Sequence, residues 1–338
     1  MLRLRRHRLW LVAPAALVLG SLTGCGKPAP AAAPGSIVEA PPETVVEAPA
    51  VLPLAPVPPI FLRGVGFEAP ESILHDAVAD VYIVSNVNGG AADVDGNGFI
   101  SRVAPDGSLL ALKWIDGTAS GTLLNAPKGM ALVGDKLFVA DIDVVRSFDR
   151  KSGQALGKVA IPSAGFLNDV AAAPDGTLYV SDTGLGKIKG LADPQKNGAD
   201  ALYAIDARGV ATAWVKGKEL GQPNGLLADA AGVWVAALSG ELYRVSREGR
   251  RQLVAKLPGA GLDGLVQTPG GRLIVSSWET STVYISKAPP AAPGTFEVLI
   301  AELESPADLG YDEKRRQVLV PLFKQNAIYI QQLPRDAN

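Results

Sequence analysis

Glu71, Lys128, Asn168, Asn224 and Asp263 hold the same place in a short phrase that recurs along the chain. The copies read Ala69-Pro-Glu-Ser-Ile-Leu, Ala126-Pro-Lys-Gly-Met-Ala, Phe166-Leu-Asn-Asp-Val-Ala, Gln222-Pro-Asn-Gly-Leu-Leu, Gly261-Leu-Asp-Gly-Leu-Val and Ser305-Pro-Ala-Asp-Leu-Gly. The third letter is polar in every copy but the last, where it is Ala307. A polar residue leading into an apolar strand breaks the expected pattern unless something polar waits there. Two carboxylates and two carboxamides make a hard, all-oxygen donor set, which suits calcium or magnesium better than zinc. A divalent cation in such a set can polarise a carbonyl and hold a water while a carboxylate takes its proton. Without a cation, two carboxylates converging on one point repel each other. The plainer alternative is that these side chains hydrogen-bond one another and the water filling a tunnel.

Other residues enlarge or narrow that chemistry. Asp93-Val-Asp95-Gly-Asn97-Gly-Phe-Ile-Ser101 follows the first nine positions of a calcium loop, with oxygens from Asp93, Asp95, Asn97 and Ser101 and Gly98 at the turn. The twelfth position is Ala104 rather than Glu and the flanks read as strands, so an EF-hand is excluded. Either a weak second calcium site that stiffens the loop or a glycine-rich surface turn is expected there. Asp169 and Asp308, one letter later in their phrases, are further acids or structural caps. The histidines are His7, in the N-terminal segment, and His75, expected to face away from the tunnel mouth. Zinc hydrolase sites and histidine relays therefore have almost nothing to work with. No nucleophile elbow, phosphate-cradling loop or dinucleotide fingerprint appears in a fitting context.

The elements that must position these residues are short strands. After each phrase comes a turn and an apolar run, as in Asp80-Val-Tyr-Ile-Val-Ser, Gly176-Thr-Leu-Tyr-Val-Ser and Gly271-Arg-Leu-Ile-Val-Ser. Pro174-Asp175-Gly176 and Pro269-Gly270-Gly271 are tight turns between antiparallel strands. Third strands follow, such as Leu202-Tyr-Ala-Ile-Asp and Leu242-Tyr-Arg-Val-Ser. No segment offers a long helical stripe. Self-similarity at a period of roughly 40 to 55 residues in all-strand units predicts an all-β, six-bladed β-propeller of four-stranded antiparallel blades. The segment near Ile60-Phe-Leu is expected to supply the strand that closes the ring. Equivalent positions of such a ring converge on its axis, which makes the third-letter column the candidate site.

The phrases resemble the senescence-marker-protein/gluconolactonase (regucalcin-like) family of six-bladed, metal-dependent lactone hydrolases, over about residues 61–333. The resemblance implies a cation, usually calcium, with magnesium, zinc or manganese as other divalent options. Its ligands would be Glu71 in Pro70-Glu71-Ser72, Asn224 in Pro223-Asn224-Gly225 and Asp263 in Leu262-Asp263-Gly264. It further implies Asp263 as the catalytic base and Asn168 beside a small lactone or ester substrate; Lys128 is read, from its place in the column and not from the resemblance, as a further substrate contact. Two departures stand out. Phe166 lies where sugar-handling members often carry arginine, and Lys128 in the column could bind an anion, stabilise an oxyanion or displace the cation. Other propellers, including the NHL type, use similar wording. A non-enzymatic binding propeller that holds a ligand or protein partner in the cell envelope is therefore the alternative expectation, and a strictosidine-synthase-like propeller a third.

The N-terminus reads as an address and a tether. Arg3, Arg5, Arg6 and Arg8 precede an apolar stretch that Pro14 interrupts and Leu22-Thr23-Gly24-Cys25 closes. That ending resembles the bacterial lipobox, predicting a signal peptide over residues 1–24 and lipidation of Cys25, the one cysteine in the chain. An ordinary secretory signal or an uncleaved anchor is the other reading. Gly26 after the cysteine favours, in a Gram-negative host, the outer membrane facing the periplasm. Residues 25–59 are rich in Ala and Pro and are expected to form a disordered tether, with the propeller over 60–335. The net charge of the full chain is −2, and loss of the signal arginines makes the remainder more acidic. With no basic stripe, nucleic acid is excluded as a partner.

Overall fold

A computed structural model describes residues 57–186, 194–289 and 295–334. The signal peptide, Cys25 and most of the tether lie outside the described residues.

Each apolar run becomes the second strand of a four-stranded antiparallel blade. The first blade runs outward from the axis as Pro70–Asp76, Val81–Asn86, Phe99–Val103 and Leu109–Asp116, and four more blades repeat that order. The sixth holds Gly310–Asp312, Gln317–Leu322 and Ala327–Gln332, and Ile60–Arg63 from the other end of the chain pairs antiparallel onto its third strand. The ring is closed by hydrogen bonds between its first and last segments, which removes an open seam. The all-β six-bladed propeller is as the repeat predicted.

The second strands read as near-continuous apolar runs because both of their faces are buried. Tyr82 and Val84 pack with Leu319, Ile328 and Ile330 of the sixth blade, whereas Ile83 between them packs with Leu137 and Val139 of the second. Leu178 and Val180 likewise face the second blade while Tyr179 faces the fourth. Successive side chains of a strand alternate faces, so one strand serves two interfaces. Among the described residues each blade-to-blade interface has its own apolar cluster.

The innermost strands carry the detail that matters for chemistry. In the second to fifth the ladder slips at the third and fourth letters of the phrase, between Pro127 and Met130, Leu167 and Val170, Pro223 and Leu226, and Leu262 and Leu265, and in the first it slips at the third letter, between Pro70 and Ser72. Such a bulge leaves residues unpaired and re-aims their side chains. Serines of the second strand take up the freed groups. Ser181 Oγ accepts from Asp169 N at 2.9 Å and donates to Asn224 O of the next blade at 2.7 Å. Ser276 Oγ does the same between Gly264 N, at 2.8 Å, and Ala307 O, at 2.8 Å. In the first blade Ser85 Oγ accepts from Ser72 N at 2.9 Å.

Close approach at the axis explains the glycines of the fourth letter. A Cβ on Gly225 would stand 1.9 Å from Asp263 O, and one on Gly264 would stand 2.0 Å from Leu309 N. Both contacts are to backbone that cannot turn aside. Gly225→Ala is therefore expected to destabilise the protein by about 1–3 kcal/mol through overpacking. Gly157→Ala, whose nearest contact would be an ordinary 3.8 Å to Ser147 Oγ, should stay within about 0.5 kcal/mol of the parent. Chemical denaturation of the two variants measures the difference; equal stabilities would contradict the close approach.

Candidate metal centre and substrate cavity

The loop entering each inner strand is held from the end of the second strand. Asp141 accepts from Asn125 N at 3.1 Å and Ala126 N at 2.8 Å and is paired with Arg146, which sets the turn before Lys128. Asn86 Oδ1 accepts from Glu68 N at 3.1 Å before Glu71, and Asp182 Oδ2 from Gly165 N at 3.2 Å before Asn168. At the phrase's first letter, Ala69, Gln222, Gly261 and Ser305 all have positive φ, between 49° and 66°. This left-handed turn carries the chain into the inner strand.

The structure brings the third-letter column together. Glu71, Lys128, Asn168, Asn224 and Asp263 line one cavity of about 350 Å³, and each is nearly fully buried. Its walls are Ala91, Phe166, Leu185, Leu238, Gly261, Trp278 and Phe323. Asp169 and Asp308 lie one residue further along their strands and line a separate cavity of about 240 Å³ toward the other end of the inner strands. Asp308 accepts from Ser72 Oγ at 2.5 Å. Asp169 accepts from Val170 N and, across the blade interface, Leu226 N, both at 2.6 Å. The acids of the fourth letter thus tie blades together, and those of the third face the first cavity.

Hydrogen bonding leaves two carboxylate oxygens with nothing to accept. Glu71 Oε2 and Asp263 Oδ1 are buried and have no partner. The other Asp263 oxygen accepts from Trp278 Nε1 at 2.6 Å. Asn168 Nδ2 donates to Thr183 Oγ1 at 3.0 Å, and Thr183 in turn donates to Pro223 O at 2.9 Å. Asn224 Nδ2 donates to Leu262 O at 3.2 Å. Both amides are anchored through their nitrogens. Lys128 is 1% exposed; its Nζ donates to Ala126 O at 3.1 Å and lies 4.5 Å from the Phe166 ring centre. Among the described residues no ion pair joins it to Glu71, so it does not neutralise that carboxylate directly.

Electrostatics follows from this crowding. Burial, and then Asp263 and Asp308, hold the Glu71 carboxyl well above the ordinary range, with Lys128 opposing. Burial pushes Asp263 up to about 7, against the hydrogen bond from Trp278 and a weaker one from the Asn224 amide, with Asp169 adding to the rise. Burial likewise raises Asp169 to about 7, against its two backbone hydrogen bonds. Burial and the Asp169 charge raise Asp308. Lys128 is lowered by burial, with Glu71 and Asp141 opposing. Orphaned oxygens on two repelling carboxylates, flanked by two carboxamides, fit a hard divalent cation. Glu71, Asn224 and Asp263 are the residues that would hold it.

The remaining expected positions fall elsewhere. Asp93 accepts from Gly90 N at 3.2 Å, and Asp95 Oδ2 accepts from Asn97 Nδ2 at 2.8 Å. Ser101 is not brought to that loop: it is buried in Phe99–Val103, donating to Leu112 O at 2.5 Å and accepting from Asn86 Nδ2 at 3.1 Å. His75 lies near the far end of the first inner strand, 3.2 Å from Asp80 and 3.5 Å from Asp312. These three place ligand atoms within 4.8 Å of one another. Arg315 and Lys314, however, already bind Asp80 at 2.7 Å, and Arg315 binds Asp312 at 2.8 Å. Those cations hold Asp80 far below the ordinary carboxylate range, as a structural ion-pair network does. Sequence reasoning missed Trp278, which follows an apolar strand like any strand-end aromatic; its contact with Asp263 depends on the fold of the whole blade.

No protein-family model matches the chain, and no curated protein matches it. Solved structures do. A protein described as a candidate gluconolactonase is 18% identical, with a TM-score of 0.60, over 83% of this chain and 94% of its own. A gluconolactonase from Xanthomonas campestris is 18% identical, with a TM-score of 0.52, over 84% of this chain and 99% of its own. Virginiamycin B lyase from Staphylococcus aureus is 13% identical, with a TM-score of 0.58, over 82% of this chain and 99% of its own. The chain shares a β-propeller fold with both groups, and at these identities the likeness is one of fold.

A carboxyl whose pKa is raised in the folded state binds a proton that the unfolded chain has already released. The associated stability is full below the unfolded value near 4 and is lost as pH rises through the folded value near 7. In EDTA the melting temperature should therefore fall between pH 4 and pH 8, and Asp263→Asn should flatten the fall. A parent profile that is level across this range would contradict the crowding of acids at the axis.

Proposed function

We propose that this protein hydrolyses a lactone or related ester in the tunnel cavity, using a divalent cation, calcium for preference, held by Glu71, Asn224 and Asp263. The observation that supports this reading is the pair of buried, unpartnered oxygens, Glu71 Oε2 and Asp263 Oδ1, in one cavity. When bound, the cation supplies Lewis-acid polarisation of the ester carbonyl and lowers the pKa of water.

The chain's own groups do the rest. Trp278 holds one oxygen of Asp263 and so orients the carboxylate that would take the proton of the attacking water. Burial alone would leave Asp263 partly protonated near neutral pH, with its pKa pushed up to about 7; a cation beside it would keep it ionised and so able to accept a proton. Thr183 and the Pro223 carbonyl fix Asn168 at the cavity wall, where its amide orients the ester. Lys128 brings positive charge to the oxygen that becomes anionic in the tetrahedral state, in a site where water does not screen it. Phe166, Trp278 and Phe323 exclude water around the reacting ester.

The lyases of the same fold suggest a competing chemistry. A virginiamycin B lyase in which one histidine is replaced by alanine is described as catalytically inactive. The cavity of this chain is lined by no histidine, which favours the carboxylate-centred reading. We place the enzyme on the outer membrane facing the periplasm, through lipid on Cys25; the support for this is the Leu22-Thr23-Gly24-Cys25 sequence.

Asp263→Asn should lower kcat on a responsive lactone by about 10²–10⁴-fold, the range of a lost general base. EDTA should abolish turnover and calcium restore it. Calcium should also raise the melting temperature of the parent but not of Glu71→Gln combined with Asp263→Asn. Hydrolysis that persists in EDTA, or at an unchanged rate in Asp263→Asn, would sink the proposal.

A further inference from the structure

Each donor around the cavity makes at least one bond within the protein. Trp278 Nε1 donates to Asp263, Asn168 Nδ2 to Thr183 and Asn224 Nδ2 to Leu262 O. Lys128 Nζ is held between Ala126 O and the Phe166 ring. Glu71 and Asp263, each with an unpartnered buried oxygen, line the cavity together. Around them stand Ala91, Phe166, Leu238, Trp278 and Phe323, drawn from five different blades. Trp278 and Phe323 pack ring against ring, with centres 5.2 Å apart. A cavity of about 350 Å³ sits at the small end of the range for ligand sites, roughly 300–1,000 Å³.

A polyhydroxylated substrate fits such walls badly. Each hydroxyl brings a donor and two acceptor lone pairs, and the aromatic and aliphatic walls offer nothing to pair with them. A hydroxyl pressed into an apolar pocket is rejected by about a hundredfold relative to the apolar group of the same size. An alkyl or aryl substituent on the same ring instead gains about fourfold per buried methylene.

We infer that the ligand is a cyclic ester with an apolar tail, its ring ester at Glu71 and Asp263 and its tail between Phe166, Leu238 and the Trp278–Phe323 pair. The inference rests on the hydrolase reading for its chemistry and on the cavity walls for its specificity. Both gluconolactonases of the same fold are described by a sugar lactone, so the walls of this chain predict a different preference.

The test is a lactone series with one ring and growing tails, δ-valerolactone, δ-hexalactone, δ-octalactone and δ-decalactone, set against glucono-δ-lactone. The full-length protein is assayed with calcium at fixed detergent. kcat/KM should climb about threefold to fourfold per methylene along the series until the cavity is filled, and the sugar lactone should fall at least a hundredfold below δ-decalactone. In Phe323→Asn the ratio of δ-decalactone to δ-valerolactone should drop at least tenfold, a comparison made within one variant. If glucono-δ-lactone equals or exceeds the long-tailed lactones, the inference is overturned while the hydrolase reading stands. If no lactone is hydrolysed, that reading fails, and melting with the matching lactams decides the rest. A rise in melting temperature with tail length upholds the apolar ligand, and no rise overturns it.

Discussion

Four carboxyl groups, Glu71, Asp169, Asp263 and Asp308, are buried around one axis with a single lysine among them. Everything distinctive about the protein follows from how that charge is managed. Two of the four are handled internally: Asp169 accepts backbone N–H groups from two blades, and Asp308 accepts the Ser72 hydroxyl. Bonds of that kind make an acid part of the framework. Glu71 and Asp263 each keep an oxygen that no protein group satisfies, and leaving a buried acceptor unmade is costly. Both residues line the cavity of about 350 Å³.

The ring makes this arrangement affordable because its stability resides elsewhere. Apolar clusters between blades surround the axis on every side, and a closing strand joins the chain's ends. Near the axis the regular ladder gives way to bulges, with serine hydroxyls taking over the freed backbone groups. The bulge turns a strand, which would show the axis every second residue, into one that presents two neighbouring residues there. Third and fourth letters thereby divide the work. The third faces the first cavity, and the fourth either ties blades together, as Asp169 does, or is a glycine that allows the backbones to meet.

Much of this was legible in the chain. The period and the near-continuous apolar runs of second strands such as Val81–Asn86 announced the propeller, because burial on both faces writes itself directly into residue type. The column of Glu71, Lys128, Asn168, Asn224 and Asp263 was legible for the same reason, since a polar residue at a repeated apolar boundary has to be explained by what it faces. The split roles of Asn168 and Asp169 were not legible. Adjacent polar letters look alike until a bulge gives each its own surroundings. Ser101 shows the converse: its spacing fitted a calcium loop, but the strand Phe99–Val103 draws its hydroxyl into the sheet.

The sequence by itself determined the blade repeat, the ring closure at Ile60–Arg63 and the types of side chain brought to the axis, because these depend on local periodicity and on burial that every copy repeats. The tertiary structure alone decided that Trp278 would grip Asp263, that Phe323 would stack on Trp278, and that Lys128 would rest on Phe166 instead of pairing with Glu71. Those contacts join loops of different blades, or residues distant along one blade, and their geometry is set by how the blades pack around the axis. No local pattern encodes the distance between two loops that meet only when the ring has closed.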